Sequence, residues 1–200
     1  MAVNAIVARG LIPVMYRNGA PYAGASRTYY VPSSYGTALY VGDPVIIVTA
    51  SAESIGIPTV GIATAGGGAF MIGSVTNIGQ AGDPIVPMTR DQPVYHPAST
   101  AGYVQVADDP FLLFEIQENG SGGAMGIGAV GRNADLVAGS GSTVTGFSGW
   151  QLASNTLATT STLQLRILYP VVRADNDPTT TNAKWLVAIN NHAMTRLTGV

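Results

Sequence analysis

The residues with chemical potential in this chain are few, and each can be weighed against what its chemistry requires. Gly126-Ile127-Gly128-Ala129-Val130-Gly131 matches the glycine pattern that cradles a dinucleotide pyrophosphate. That site needs a strand directly before the glycines, a helix directly after them and an acid about 20 residues on. Here Ser121-Gly122-Gly123-Ala124 precedes them and no acid lies between Gly149 and Asn155, so in a chain of 25 glycines the match reads as chance. Gly146-Phe147-Ser148-Gly149 has part of a nucleophile elbow but lacks its second glycine at the required offset. A serine nucleophile also needs a histidine base, and the only histidines are His96, followed by Pro97, and His192. Two histidines and no cysteine are too few for a zinc centre. Asp108-Asp109 and Asp175-Asn176-Asp177 could offer oxygens to a hard cation. Neither has the spacing of a known binding loop, and both adjoin a proline as turn residues do. Glu115 and Glu118 project to opposite faces if they lie in a strand, which argues against paired-acid glycoside hydrolysis. Asn119-Gly120-Ser121 fits a glycosylation acceptor, which matters only in a secreted protein. The expectation is no enzyme, no cofactor and no metal site.

The elements around these residues read as strands. Leu112, Phe114 and Ile116 alternate with Glu115 and Gln117; Leu163, Leu165 and Ile167 alternate with Gln164 and Arg166. Trp185, Val187 and Ile189 alternate with Lys184 and Asn190, the two-residue period of half-buried antiparallel strands. That phase makes Trp185 a core residue rather than part of a sugar-binding platform with Trp150. Gly56 to Ala63 and Ala69 to Val75 flank Gly66-Gly67-Gly68 and predict a hairpin. Gly42-Asp43-Pro44-Val45-Ile46 is echoed by Gly82-Asp83-Pro84-Ile85-Val86, and Asp109-Pro110 precedes another apolar run. The echo reads as recurrent turn chemistry, with Pro at the first residue of a strand. Residues 119–149 are dense in Gly and Ser and read as a loop-rich insertion, with one helical turn expected near Asn133 to Val137. With 25 Gly, 12 Pro and few helix-forming surface residues, the predicted class is all-β. The expected architecture is an antiparallel β-barrel or sandwich, a jelly-roll-like arrangement included, with long Gly/Ser-rich loops and an extended N-terminal arm.

Charge is scarce. Eleven acidic and nine basic residues make the charged fraction 10%, against about 25% for an ordinary soluble domain. Lys184 is the sole lysine and hydrophobic residues are 46%. No apolar run approaches the roughly 20 residues of a membrane helix. The opening Met1 to Arg9 lacks a secretory signal's basic start and apolar stretch. Without cysteine there is no disulfide. A net charge of −2 gives no argument for nucleic acid or an anionic membrane as partner. A lone protein needs surface charge to stay dispersed, so much of this exterior is expected to be covered by other subunits.

The charge is also uneven. Up to Gly42 there are Arg9, Arg17 and Arg27 and no acid; from Asp43 onward six basic residues meet all eleven acids. Six of the nine tyrosines (Tyr16, Tyr22, Tyr29, Tyr30, Tyr35 and Tyr40) share the opening segment. Tyr and Arg are enriched where proteins bind proteins. Residues 1–40 are therefore read as a Tyr/Arg/Pro-rich arm, and 41–200 as a single β-rich domain. Arg9, Arg17, Tyr22, Arg27, Tyr29 and Tyr30 are the expected partner-binding residues.

Several segments resemble the virion structural proteins of tailed bacteriophages, of the capsid decoration or cement type. They are Tyr29-Tyr30-Val31-Pro32-Ser33-Ser34, Val41-Gly42-Asp43-Pro44-Val45, and Tyr103-Val104-Gln105-Val106-Ala107-Asp108-Asp109-Pro110 running on to Phe114-Glu115-Ile116-Gln117-Glu118. Gly139-Ser140-Gly141-Ser142-Thr143, Ser148-Gly149-Trp150-Gln151-Leu152, Leu163-Gln164-Leu165-Arg166-Ile167-Leu168 and Asn182-Ala183-Lys184-Trp185-Leu186-Val187 add to these. The resemblance covers about half the chain, mostly after Tyr95, and carries no catalytic signature. It implies a small β-rich protein made in the host cytoplasm and carried on the outer capsid surface of the virion. Its partners would be the major capsid protein and copies of itself, as a homo-oligomer on the shell, with no direct nucleic-acid contact and no membrane. A tail, head–tail or fibre-associated role is the alternative expectation.

Overall fold

Strand β7 (Leu112–Gln117) places Leu112, Phe114 and Ile116 inside and Glu115 outside, as the alternation requires. In the computed structural model, which describes residues 4–48, 56–79 and 93–195, β7 is the second strand of a five-stranded antiparallel sheet. This sheet, A, runs β1 (Ile12–Tyr16), β7, β12 (Lys184–Ile189), β11 (Leu165–Pro170), β8 (Asn133–Ala134). The second, sheet B, runs β2 (Arg27–Val31), β6 (Gly102–Ala107), β5 (Gly73–Ile78), β3 (Pro44–Ile47), β4 (Val60–Ile62), again antiparallel. A small pair, β9 (Leu136–Val137) and β10 (Gln151–Leu152), completes the strands. The fold is all-β and antiparallel, a sandwich-like pair of sheets. Sheet B curls until β2 and β4 meet at one parallel bridge, Tyr30 to Thr59, but it does not close into a barrel.

Two apolar clusters hold these layers. The inner face of sheet A (Phe114, Ile116, Leu165, Ile167, Trp185 and Val187) packs on Leu11, Met71, Met125, Leu136, Trp150 and Leu152. The loop-rich insertion thus covers the sheet: Met125, Ala129 and Leu136 are core residues carried on a loop, a short 3-10 turn and the two-residue strand β9. Sheet B encloses Tyr29, Val31, Val45, Val60, Val75, Val104 and Val106. The stretch read from sequence as an arm supplies an edge strand to each sheet, β1 and β2. Before them, Asn4 is buried and its amide binds the backbone carbonyls of Asp177 (2.9 Å) and Thr181 (3.0 Å).

Two local expectations are corrected. β4 and β5 do not form a hairpin, because β3 lies between them. The glycine turn is instead fastened to the other sheet: the Gly66 amide donates to Gln164 Oε1 at 2.9 Å and the Gly68 amide to the Thr162 carbonyl at 2.9 Å. Residues 133–137 hold the two short strands β8 and β9 rather than a helical turn, since Asn133 exchanges backbone hydrogen bonds with Ala158 while β8 pairs with β11 and β9 with β10. The Gly42-Asp43-Pro44 turn opens β3 as expected; its echo at residues 82–86 lies outside the described residues.

Candidate interaction surface

The outer face of sheet A can be read from its register. Met15 pairs with Leu113, Leu113 with Ala188, and Ala188 with Arg166, so these four stand in one row across four strands. The next row holds Ile12, Glu115, Leu186 and Tyr169, and the third holds Gln117 and Lys184. On the other side of the first row, the Arg17 amide donates to the Phe111 carbonyl at 2.9 Å, and the Arg17 guanidinium lies 5.9 Å from the Phe111 ring centre. The face therefore grades from apolar to charged along the strands.

The charged end is already occupied by the chain itself. Arg173 grips Glu115 bidentately at 2.8 and 3.0 Å and reaches Asp175 at 3.3 Å, while Lys184 donates to Asp175 at 3.1 Å. These contacts, with the Lys184 bond leading, hold the Asp175 carboxyl below its ordinary range. The extended segment before β1 lies across this end: Gln117 accepts from the Val7 amide at 2.9 Å and donates to the Ala5 carbonyl at 2.7 Å.

At the apolar end, Leu113, Leu186 and Ala188 form a floor that is itself buried (2–4% exposed), with the partly buried Val14, Met15 and Leu168 packed against it. Above the floor is a groove of about 780 Å3, rimmed by Arg17, Phe111, Arg166 and Tyr169. Phe111 is 60% exposed and Tyr169 43%. Among the described residues neither rim arginine forms an ion pair, and the Arg166 side chain donates to the Asn133 side-chain oxygen at 3.3 Å.

Burial changes the sign of the exterior. Of the eight described acids, four are buried: Asp43, Asp108, Glu118 and Asp135. None of the seven described basic residues is (Arg9, Arg17, Arg27, Arg132, Arg166, Arg173 and Lys184). The described surface thus presents seven cations against Asp109, Glu115, Asp175 and Asp177, although the whole chain carries −2. Burial pushes the Asp43 carboxyl up to about 6, partly offset by the Ser148 hydroxyl and the Tyr40 amide. It pushes Glu118 up to about 7.

The six residues expected to bind a partner scatter. Arg9 is exposed, with its guanidinium 4.8 Å from the Phe147 ring centre. Tyr22 is half-buried against the sheet A core, and Arg27 is exposed and ion-paired to Asp108 at 3.3 Å. Tyr29 turns inward, 3% exposed, and its hydroxyl donates to Asp108 at 2.6 Å. Tyr30, on the other face of β2, meets Tyr103 with ring centres 5.5 Å apart. Of the six, Arg17 alone lines the groove. In the sequence the floor of the groove shows only as a departure from alternation: Leu113 and Ala188, which line it, and the neighbouring Leu186 are apolar at positions where a half-buried strand is polar.

The other chemical candidates resolve into structural roles. Gly126 to Gly131 forms a short 3-10 turn rather than a strand-to-helix junction. Ser148 is buried, with its Oγ accepting from the Trp150 amide at 3.1 Å. Trp150 and Trp185 are both core residues. Asp177 caps its own turn by accepting from the Thr179 amide and hydroxyl. Among the described residues there is no group of three or more His, Cys, Asp or Glu able to hold a metal. Neither family models, curated proteins nor solved structures give a match to this chain.

Proposed function

We propose that this chain is a non-enzymatic structural protein of a virus particle, of the capsid-cement kind, which binds the major capsid protein and reinforces the shell. The observation that carries the reading is the outer face of sheet A, a β-sheet surface with an aliphatic floor and an Arg-aromatic rim on a molecule in which charged residues are only 10%. An apolar core ringed by Arg and aromatic side chains is the anatomy of a protein–protein interface. On a symmetric shell such contacts repeat, so modest individual affinities add through avidity. Reinforcement follows by mass action: a ligand that binds the assembled shell and not its separated subunits shifts the equilibrium toward assembly.

The test is a particle lacking this protein. Such particles are expected to release their nucleic acid at a lower temperature than decorated ones, and added purified protein is expected to restore the difference. Copy number is the second readout: hundreds per particle fit a shell role. Equal heat resistance with and without the protein, or a dozen copies or fewer, would overturn the reading.

A further inference from the structure

We propose that the apolar end of sheet A's outer face seats an extended segment of a partner protein, apolar in its middle and carrying two carboxylates, one for Arg17 and one for Arg166. This deepens the reading above, on which it rests, by giving the partner's recognised segment a chemistry and a spacing.

The spacing comes from the register. Arg166 stands at one end of the row Met15, Leu113, Ala188, Arg166, and Arg17 lies one row away beside Met15. Three inter-strand steps and one two-residue step along a strand place their Cα atoms about 16 Å apart over the sheet surface. An extended chain covers that in four to five residues. Two acids four residues apart point to the same side of such a chain, and the long arginine side chains close the remaining gap. Arginine is suited to the task, since its planar fork binds a carboxylate through two parallel hydrogen bonds.

The same surface argues against other occupants. A partner cannot dock by adding a strand to the main edges of sheet A. The outer edge of β1 is paired by residues 20–22, and β8 is paired with Ala158. Beyond β8, β11 is broken by a bulge after Ile167 and ends at Pro170. The occupant must therefore lie across the face and bind through side chains. Among the described residues a second copy offers no unengaged surface acid: Glu115 and Asp175 are held by Arg173 and Lys184, and Asp109 and Asp177 accept hydrogen bonds within their own turns. An oligonucleotide would stack its bases on aromatic platforms, and this floor is aliphatic. The surplus of cations on the described exterior also favours an acidic partner.

The experiment uses two labelled peptides of Leu, Val and Thr, one with two aspartates four residues apart and one with two lysines in their place. Fluorescence polarisation measures each on the wild-type chain and on the double variant R17E/R166E. The wild type is expected to prefer the aspartate peptide, and the variant to lose about tenfold in affinity for it, the weight of two exposed ion pairs. The variant is also expected to favour the lysine peptide, a reversal that misfolding does not produce. Equal binding of the two peptides overturns the proposal, as does aspartate binding that survives in the variant. So does an oligonucleotide that outcompetes the aspartate peptide on the wild type. Co-sedimentation with undecorated shells separates the two readings. If the wild type decorates shells and the variant does so equally well, the groove is not the contact but the shell role stands. If the wild type does not decorate shells, the shell role itself falls.

Discussion

Glu118 allows the sharpest physical test of the fold. Its side chain is 0% exposed, with Oε2 accepting from Trp185 Nε1 at 3.1 Å and from the Met125 amide at 3.3 Å, and Oε1 without a partner. No cation pairs with it among the described residues. Desolvation outweighs the Trp185 side chain and the Met125 and Ala183 backbone, which all favour the charged form, and raises its pKa from 4.5 to about 7. A carboxyl whose pKa is raised by folding leaves stability intact while it stays protonated. That stability is full below pH 4.5 and is lost as pH rises to about 7. At about 1.4 kcal/mol per unit, the loss is about 3 kcal/mol at pH 8. Glu118→Gln mimics the protonated acid: the amide oxygen can accept both bonds and no charge forms. Asp43, raised from 3.8 to about 6, acts in the same direction, whereas His96 and His192 are lowered by burial and act in the opposite one. The difference between variant and wild type cancels all three. Urea unfolding of both proteins from pH 4 to 8 is expected to show near-equal stability at pH 4. The variant should then lead by an amount growing to about 3 kcal/mol at pH 8. Curves that stay parallel would refute the reasoning, because they would mean that Glu118 ionises in the folded chain without penalty.

Gly42→Ala is expected to destabilise the chain by more than about 2 kcal/mol in the same assay. Gly42 has φ +95°, and an added Cβ would lie 1.9 Å from the Arg9 carbonyl oxygen, backbone that cannot step aside. Tyr29→Phe is expected to cost about 1–2 kcal/mol, since it strips a buried donor from Asp108. Arg27→Ala, on the exposed side of the same carboxylate, should cost less than about 1 kcal/mol. Phe114→Ala should cost about 3–5 kcal/mol by opening a cavity at the centre of sheet A.

Sheet A was legible because its strands carry a period of two. In β7 and β12 the inward residues Phe114, Ile116, Trp185 and Val187 are the ones the alternation selects. Elsewhere the chain is placed by contacts distant in sequence. Gln164, fully buried, donates to the Thr64 carbonyl at 2.9 Å and accepts from the Gly66 and Leu136 amides. A single side chain thus fastens the glycine turn and the insertion to β11, where local propensity read a hairpin and a free loop. The opening stretch misled in a related way. Its prolines and glycines suggest irregular backbone, yet Tyr29 and Val31 are spaced two apart and fill the core of sheet B.

Composition pointed to a shared exterior but not to which part of it, and the reason lies in where the charges end up. The count of eleven acids to nine bases suggests a faintly acidic molecule. Folding withdraws Asp43, Asp108, Glu118 and Asp135 from the surface and leaves every described base outside. Acids this short can be enclosed by backbone amides and hydroxyls at turns and strand ends, as Asp43 is by the Tyr40 amide at 2.8 Å. Arginine keeps its charged head in water while its stem lies along apolar surface, and Arg17 also sets its guanidinium over the exposed Phe111 ring. The same asymmetry explains the groove. Leu113, Leu186 and Ala188 break the polar phase of their strands, and Phe111 and Tyr169 beside them stay exposed among the described residues. On the proposal above, the segment seated there brings apolar surface to Phe111 and Tyr169 and negative charge to Arg17 and Arg166, neither of which has an ion-pair partner among the described residues.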